Sequence, residues 1–184
     1  MKTFVNSITA FRFIAAFAII PCFVYQWFWA AFALFALAAI SDFFDGYLAR
    51  KYKVETKLGG VMDHMADKFL IAITSILIAM FWPIWFVSVP IILMICRDLY
   101  VSGLREFMGT QKMELPVGSG GKIKTVAQMV ALGGFLLVIA LVPHIIDTNL
   151  SHYMLIACTV ALWIAFVTSV SSAVTYTKEF LKKI

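Results

Sequence analysis

Four aspartates arranged as two pairs are the residues of this chain best suited to chemistry. Asp42 and Asp45 stand three apart in Asp42-Phe-Phe-Asp45-Gly46-Tyr-Leu-Ala49-Arg50, and Asp63 and Asp67 stand four apart in Gly59-Gly-Val-Met-Asp63-His-Met-Ala-Asp67. On helices those spacings put each pair on one face. Long apolar runs flank both strings, so the acids lie at the edge of hydrocarbon, where a lone charge costs on the order of 3 kcal/mol. Like charges about 4 Å apart add roughly 4 kcal/mol of repulsion at an effective dielectric near 20, so something positive must compensate. All-oxygen donors with no cysteine nearby suit hard cations such as Mg²⁺ or Mn²⁺, and four carboxylates can hold two ions as phosphoryl-transfer sites do. Gly46 and Ala49 leave room for a nucleotide, and Arg50 can fork onto phosphate oxygens. The bland alternative is an acid-and-base connector that keeps a loop wet. His64 is read as a lining residue rather than a ligand.

A second constellation is cationic: Arg97, Arg105, Lys122 and Lys124. Four cations near the acids suit a small ligand that itself carries phosphate better than a neutral one. Ordinary anchoring at the inner surface, or contact with anionic lipid, is the competing explanation. Asp98 and Glu106 could orient Arg97 and Arg105, but exposed ion pairs of that kind are weak, and both are left outside the chemistry. Pro116 and the glycines from Gly118 to Gly121 allow either a lid over the acceptor or a plain connector.

The elements that must position these groups follow from composition. Of 184 residues, 62% are hydrophobic and 14% charged, which excludes an ordinary soluble core with a charged skin. A crossing needs about 20 apolar residues, so the expectation is one all-α integral membrane domain over 1–184 with six transmembrane helices. Segments near 8–27, 28–50, 60–82, 84–107, 122–142 and 150–177 fit, with breaks at Tyr25 to Phe28, Lys51 to Gly60, Trp82-Pro83, Gly109 to Gly121 and Pro143 to Asn149. With a cytoplasmic N-terminus, all 15 Lys and Arg residues fall on the inner side, which predicts both termini cytoplasmic. Trp27, Trp29, Trp82 and Trp85 fall at the outer ends of the first four passes, where indoles settle among headgroups. The net charge of +5 is thereby explained without nucleic acid. Arg12 interrupts the first apolar run, so that run is read as a pass and not a signal peptide, with residue 1 as the mature start. Cys22, Cys96 and Cys158 stand singly in apolar runs and are read as packing residues, and Gly133-Gly134 is expected to allow close helix packing, with a dimer interface as one place for it. An ion transporter would also carry intramembrane acids, but no polar trail leads from this quartet to the outer side.

The string D-x2-D-G-x2-A-R-x8-G-x3-D-x3-D from Asp42 to Asp67 resembles the signature of the CDP-alcohol phosphatidyltransferase family without a mismatch. The resemblance implies a six-helix homodimer in the inner cell membrane, with its active site facing the cytoplasm and two divalent ions bound. Asp42, Asp45, Asp63 and Asp67 would be metal ligands or their neighbours; Gly46, Ala49, Arg50 and Gly59 would surround the CDP group. Asp67 would be general base, with purely structural metal ligation as its alternative role. Asn6-Ser-Ile-Thr9-Ala-Phe-Arg12 is similar to the family's N-x-L-T-x-x-R opening, with Ile8 for Leu and Phe17 where proline is common. That likeness adds Asn6 and Thr9 as nucleotide contacts, while Arg12 is expected to anchor the first helix at the interface. Arg97-Asp98, Ser102-Gly-Leu-Arg-Glu-Phe107 and Gly121-Lys-Ile-Lys-Thr125 with Gln128 look like the branch whose donor is CDP-diacylglycerol and whose acceptor is glycerol 3-phosphate. Serine, inositol phosphate or another alcohol is the alternative acceptor.

Overall fold

The computed structural model describes the backbone of residues 2–52, 57–110, 119–142 and 148–182; within these ranges it leaves out the side chains of residues 2–8, 42–52, 57–60, 63, 119–123 and 148. Six helices occupy the described residues: α1 (Lys2–Val24), α2 (Phe28–Tyr52), α3 (Lys57–Phe81), α4 (Trp85–Thr110), α5 (Ser119–Leu141) and α6 (Thr148–Leu181). Each coincides with one segment expected from hydropathy. His64–Phe81, Trp85–Thr110, Lys124–Leu141 and Asn149–Leu181 are long and apolar enough to cross a membrane, whereas Thr9–Val24 and Phe28–Ser41 are shorter apolar stretches among the described residues.

Two turns close one end of the bundle. Between α1 and α2 the chain reverses at Gln26, whose φ of 59° is the left-handed conformation that commonly ends a helix. The Trp27 amide donates to the Cys22 carbonyl at 2.7 Å and the Gln26 amide to Phe23 at 3.2 Å, so carbonyls at the helix end are satisfied. Between α3 and α4 Pro83 stops the helix. Phe81 packs edge-on against Phe28 at 5.4 Å and against Phe23 at 6.4 Å, which brings the two turns together. Trp27, Trp29 and Trp85 project outward from this aromatic end, while Trp82 turns in against Phe135 of α5 at 5.4 Å.

The core runs along the middle of the bundle, through Ile19, Phe35, Leu70, Ile78, Ile91, Met94, Leu132, Phe135, Leu136, Ile139 and Leu162. Helix α1 packs on both α2 and α3, with Ala15 and Ala16 allowing close approach, and α5 reaches both as well. Antiparallel neighbours were expected of α2 and α3 because a short stretch joins them. Along their described residues they are not an extensively packed pair; each leans on α1 and α5 instead.

Gly133 and Gly134 serve contacts within this chain. A Cβ at Gly133 would come 3.4 Å from the Phe35 ring on α2, and one at Gly134 would come 2.8 Å from Cys158 Sγ on α6. Cys22 is buried and Cys158 half-buried, as packing residues should be, whereas Cys96 is exposed.

Pro90 lies inside α4, lacks an amide proton, and so cannot donate to the carbonyl of Phe86 one turn earlier. Trp163 of the parallel helix α6 supplies the donor: its Nε1–H meets the Phe86 carbonyl at 3.0 Å. In a setting without water this side chain takes the place of the missing backbone bond. Trp163→Phe should therefore lower the stability of the detergent-solubilised protein by about 1–2 kcal/mol, and much less in a Pro90→Ala background, where an amide returns to that carbonyl. Equal losses in the two backgrounds, measured by thermal unfolding, would exclude this account.

Candidate active site

At the end opposite the aromatic turns, one carboxylate ties two helices together. Lys124 Nζ of α5 lies 2.6 Å from each oxygen of Asp98 on α4. Arg97 Nη1 meets Asp98 Oδ1 at 2.8 Å. Arg97 also reaches α6, where Nε donates to the Ser169 carbonyl at 2.9 Å and Nη2 to the Ser172 hydroxyl. Three helices thus converge on one guanidinium and one carboxylate.

These are not the weak exposed pairs expected from the sequence. The side chains of Arg97, Lys124 and Asp98 are 11%, 7% and 24% exposed. Breaking such a pair leaves a charge poorly solvated, which costs far more than losing a surface contact. Arg105 is oriented by α6 and not by Glu106: its Nη2 lies 3.3 Å from the Tyr176 hydroxyl, and its guanidinium sits 5.3 Å from the centre of that ring. Ser169, Ser172 and Tyr176, three and four residues apart, form the polar face of α6 that receives both arginines. That stripe at helical spacing in an apolar segment was the available signal, and it was overlooked.

Helix α3 joins this cluster. Asp67 is half-buried on α3 and lies within electrostatic range of both Lys68 and Lys124. The Lys68 ammonium donates to the Ser102 hydroxyl of α4, which itself donates to the Asp98 carbonyl at 2.6 Å. Charge placement alone makes Lys68 one inner-side cation among 15 Lys and Arg residues. Its place directly after Asp67 in the sequence was the hint that it belongs to the site.

Thr9 and Arg12 of α1 are both buried, at 3% and 1% exposure, so Arg12 is not the interfacial anchor expected of it. A guanidinium inside the bundle has to be answered by protein groups, and both residues do have partners there. Gln128, one turn beyond Lys124 on α5, is buried, and its amide oxygen has no hydrogen-bond partner among the described residues. His64 is exposed.

For the rest of the acidic signature the backbone alone is described. Asp42, Asp45, Gly46, Ala49 and Arg50 lie on α2, and Gly59 and Asp63 on α3, all within continuous helix. The intervals of three and four residues are therefore helical intervals, which keep each carboxylate pair on one face. An all-oxygen quartet in that register suits a hard divalent cation and not a soft one. The side chains of Asn6, Asp42, Asp45, Gly46, Ala49, Arg50, Gly59, Asp63 and Lys122 lie outside the described residues, as do Pro116 and Gly118.

The family relationship is now decidable. The sequence model described as CDP-alcohol phosphatidyltransferase matches residues 2–174. The chain belongs to that family. Over 133 residues it is 42% identical to a CDP-diacylglycerol–glycerol-3-phosphate 3-phosphatidyltransferase of Cereibacter sphaeroides, a match covering 69% of this chain and 60% of that relative. It thus spans less than two thirds of that protein's length. Relatives carrying the same name in Escherichia coli strain K12 and Shigella flexneri serotype 5b are each 39% identical over 138 residues, covering 70% of this chain and 74% of theirs. The described residues are all-helical apart from short turns, with four helices long and apolar enough to cross a membrane, and the family match covers five helices and most of α6.

Asp98→Asn should unlock α4 from α5, because Lys124 and Arg97 would then face each other across a neutral amide. The expected loss is on the order of 2–4 kcal/mol, measured as a fall in thermal midpoint. Asp98→Glu should recover part of it. A melting curve unchanged by Asp98→Asn would mean that the cross-link contributes little to the fold.

Proposed function

We propose that this protein is a phosphatidylglycerophosphate synthase, transferring the phosphatidyl group of CDP-diacylglycerol to glycerol 3-phosphate and releasing CMP in phospholipid biosynthesis. The observation that carries the reading is the gathering of Lys68, Arg97 and Lys124 around Asp98, beside Asp67 and with Arg105 within electrostatic range of Lys68, in a chain of this family. A cationic cluster next to the acidic helix suits an acceptor that brings its own phosphate, a group of higher charge than the single carboxylate of serine. The names of the relatives agree with that choice.

On this reading all six helices cross the inner cell membrane, both termini are cytoplasmic, and residues 1–184 form one catalytic domain. Asp42, Asp45, Asp63 and Asp67 hold two divalent cations, Mg²⁺ or Mn²⁺. Bound there, the ions would offset the charge of the donor's diphosphate and of the departing CMP. Asn6, Thr9, Asp42, Gly46, Ala49, Arg50 and Gly59 receive the CDP group. Arg97, Arg105, Lys122 and Lys124 provide the positive field for the acceptor's phosphate. Asp67 accepts the proton of the acceptor hydroxyl as that oxygen bonds to the lipid-side phosphorus. The bond from this phosphorus to the oxygen bridging it to CMP breaks, and CMP leaves with the electron pair. A homodimer embedded among membrane lipids is the proposed assembly.

Two experiments test this. Reconstituted protein given CDP-diacylglycerol should release CMP with glycerol 3-phosphate and far less with serine, inositol phosphate or phosphatidylglycerol; a preference for serine would overturn the acceptor while leaving the family intact. Asp67→Asn should lower kcat by at least about a hundredfold while metal-dependent binding of CDP-diacylglycerol persists. Near-normal turnover in that variant would remove Asp67 from the role of base.

A further inference from the structure

We infer that Lys68 is a direct ligand of the acceptor's phosphate and sets the preference for a phosphorylated acceptor, an inference that rests on the function proposed above.

The cations of the cluster differ in how far they are committed. Arg97 spends donors on Asp98, Ser169 and Ser172, and Lys124 sits against both oxygens of Asp98. One carboxylate shared by two cations leaves a single net positive charge in that triad, with its geometry fixed by three helices. These two groups hold α4, α5 and α6 together and contribute a field, but their donors already point at protein.

Lys68 is placed differently. Among the described residues its hydrogen bond goes to a neutral partner, the Ser102 hydroxyl, and an ammonium carries three donors. The half-buried side chain stands within electrostatic range of Asp67, Asp98 and Arg105, the groups facing it from α3 and α4. It therefore occupies the junction between the acidic helix and the basic cluster, one residue beyond the proposed base. An acceptor hydroxyl presented to Asp67 brings its phosphate within a few bonds of that hydroxyl. A cation beside Asp67 can meet that phosphate without a large movement, and Arg105, exposed and held by one tyrosine hydroxyl, can close on it from α4. Ser102 fixes the ammonium on the α4 side and is a positioning residue.

The test uses the full-length protein in proteoliposomes, with CMP release measured against glycerol 3-phosphate and CDP-diacylglycerol in separate titrations. Lys68→Gln should raise KM for glycerol 3-phosphate about tenfold or more, the loss expected of one charge-assisted contact, and leave KM for CDP-diacylglycerol within about twofold. Lys68→Arg should restore most of the difference. Ser102→Ala, which retains the charge and removes its tether, should raise the same KM by a smaller factor; this arm decides the matter if Lys68→Gln fails to fold. An unchanged KM for glycerol 3-phosphate, or parallel rises for both substrates, would overturn the role of Lys68. The wild type separates the two levels: if it prefers an acceptor without phosphate, the proposed function fails first.

Discussion

Charge at the edge of hydrocarbon has to be answered by neighbouring protein groups, and here the answer is concentrated on Asp98. Its carboxylate accepts from Lys124 and Arg97, and Arg97 passes on to Ser169 and Ser172, so α4, α5 and α6 meet at one point. The side chains are mostly buried, so neither cation can relax into water if the carboxylate is removed. That condition converts an ion pair of little value on a surface into a structural joint. Lys68 and Ser102 extend the joint to α3 through the backbone of Asp98 itself.

The opposite end is built on different physics. Aromatic rings from both turns interlock, and small residues let helices approach: Ala15 and Ala16 on α1, and Gly133 and Gly134 on α5. Polar backbone groups are still satisfied there, as when Trp163 donates to the carbonyl that Pro90 cannot serve. The bundle is therefore held by apolar packing at one end and by a charged network at the other. Chemistry that needs charge and water belongs at the second end.

The helices were legible because each is a long apolar run ending at charged or turn-forming residues, and the periodic signal needs no tertiary knowledge. The acidic signature was legible for a similar reason, since its spacing is local to two helices. What was not legible depended on which helix meets which. The neighbours Arg97 and Asp98 looked like a surface pair because nothing in the sequence says that α5 brings Lys124 to the same carboxylate. Glu106 is the carboxylate that the sequence places beside Arg105, yet the partner of Arg105 is Tyr176, seventy-one positions away. Arg12 looked like an interfacial anchor until α1 proved central, and the paired glycines announced close helix packing without saying that the helices served would be α2 and α6.

The nearness of acids and bases in this end follows from the charges of the proposed substrates. A diphosphate and a phosphomonoester repel each other, so a site that joins them must offset two separate negative groups before an oxygen of one can approach the phosphorus of the other. Protein cations alone could do this, but four aspartates among them would then be self-defeating. On the proposed function, dications held by the aspartates on one side and fixed Lys and Arg residues on the other would divide the task, and each substrate would have its own half. Asp98 fixes part of the basic half in place: by accepting from Arg97 and Lys124 it holds both cations between α4 and α5, where Lys124 stays within electrostatic range of Asp67.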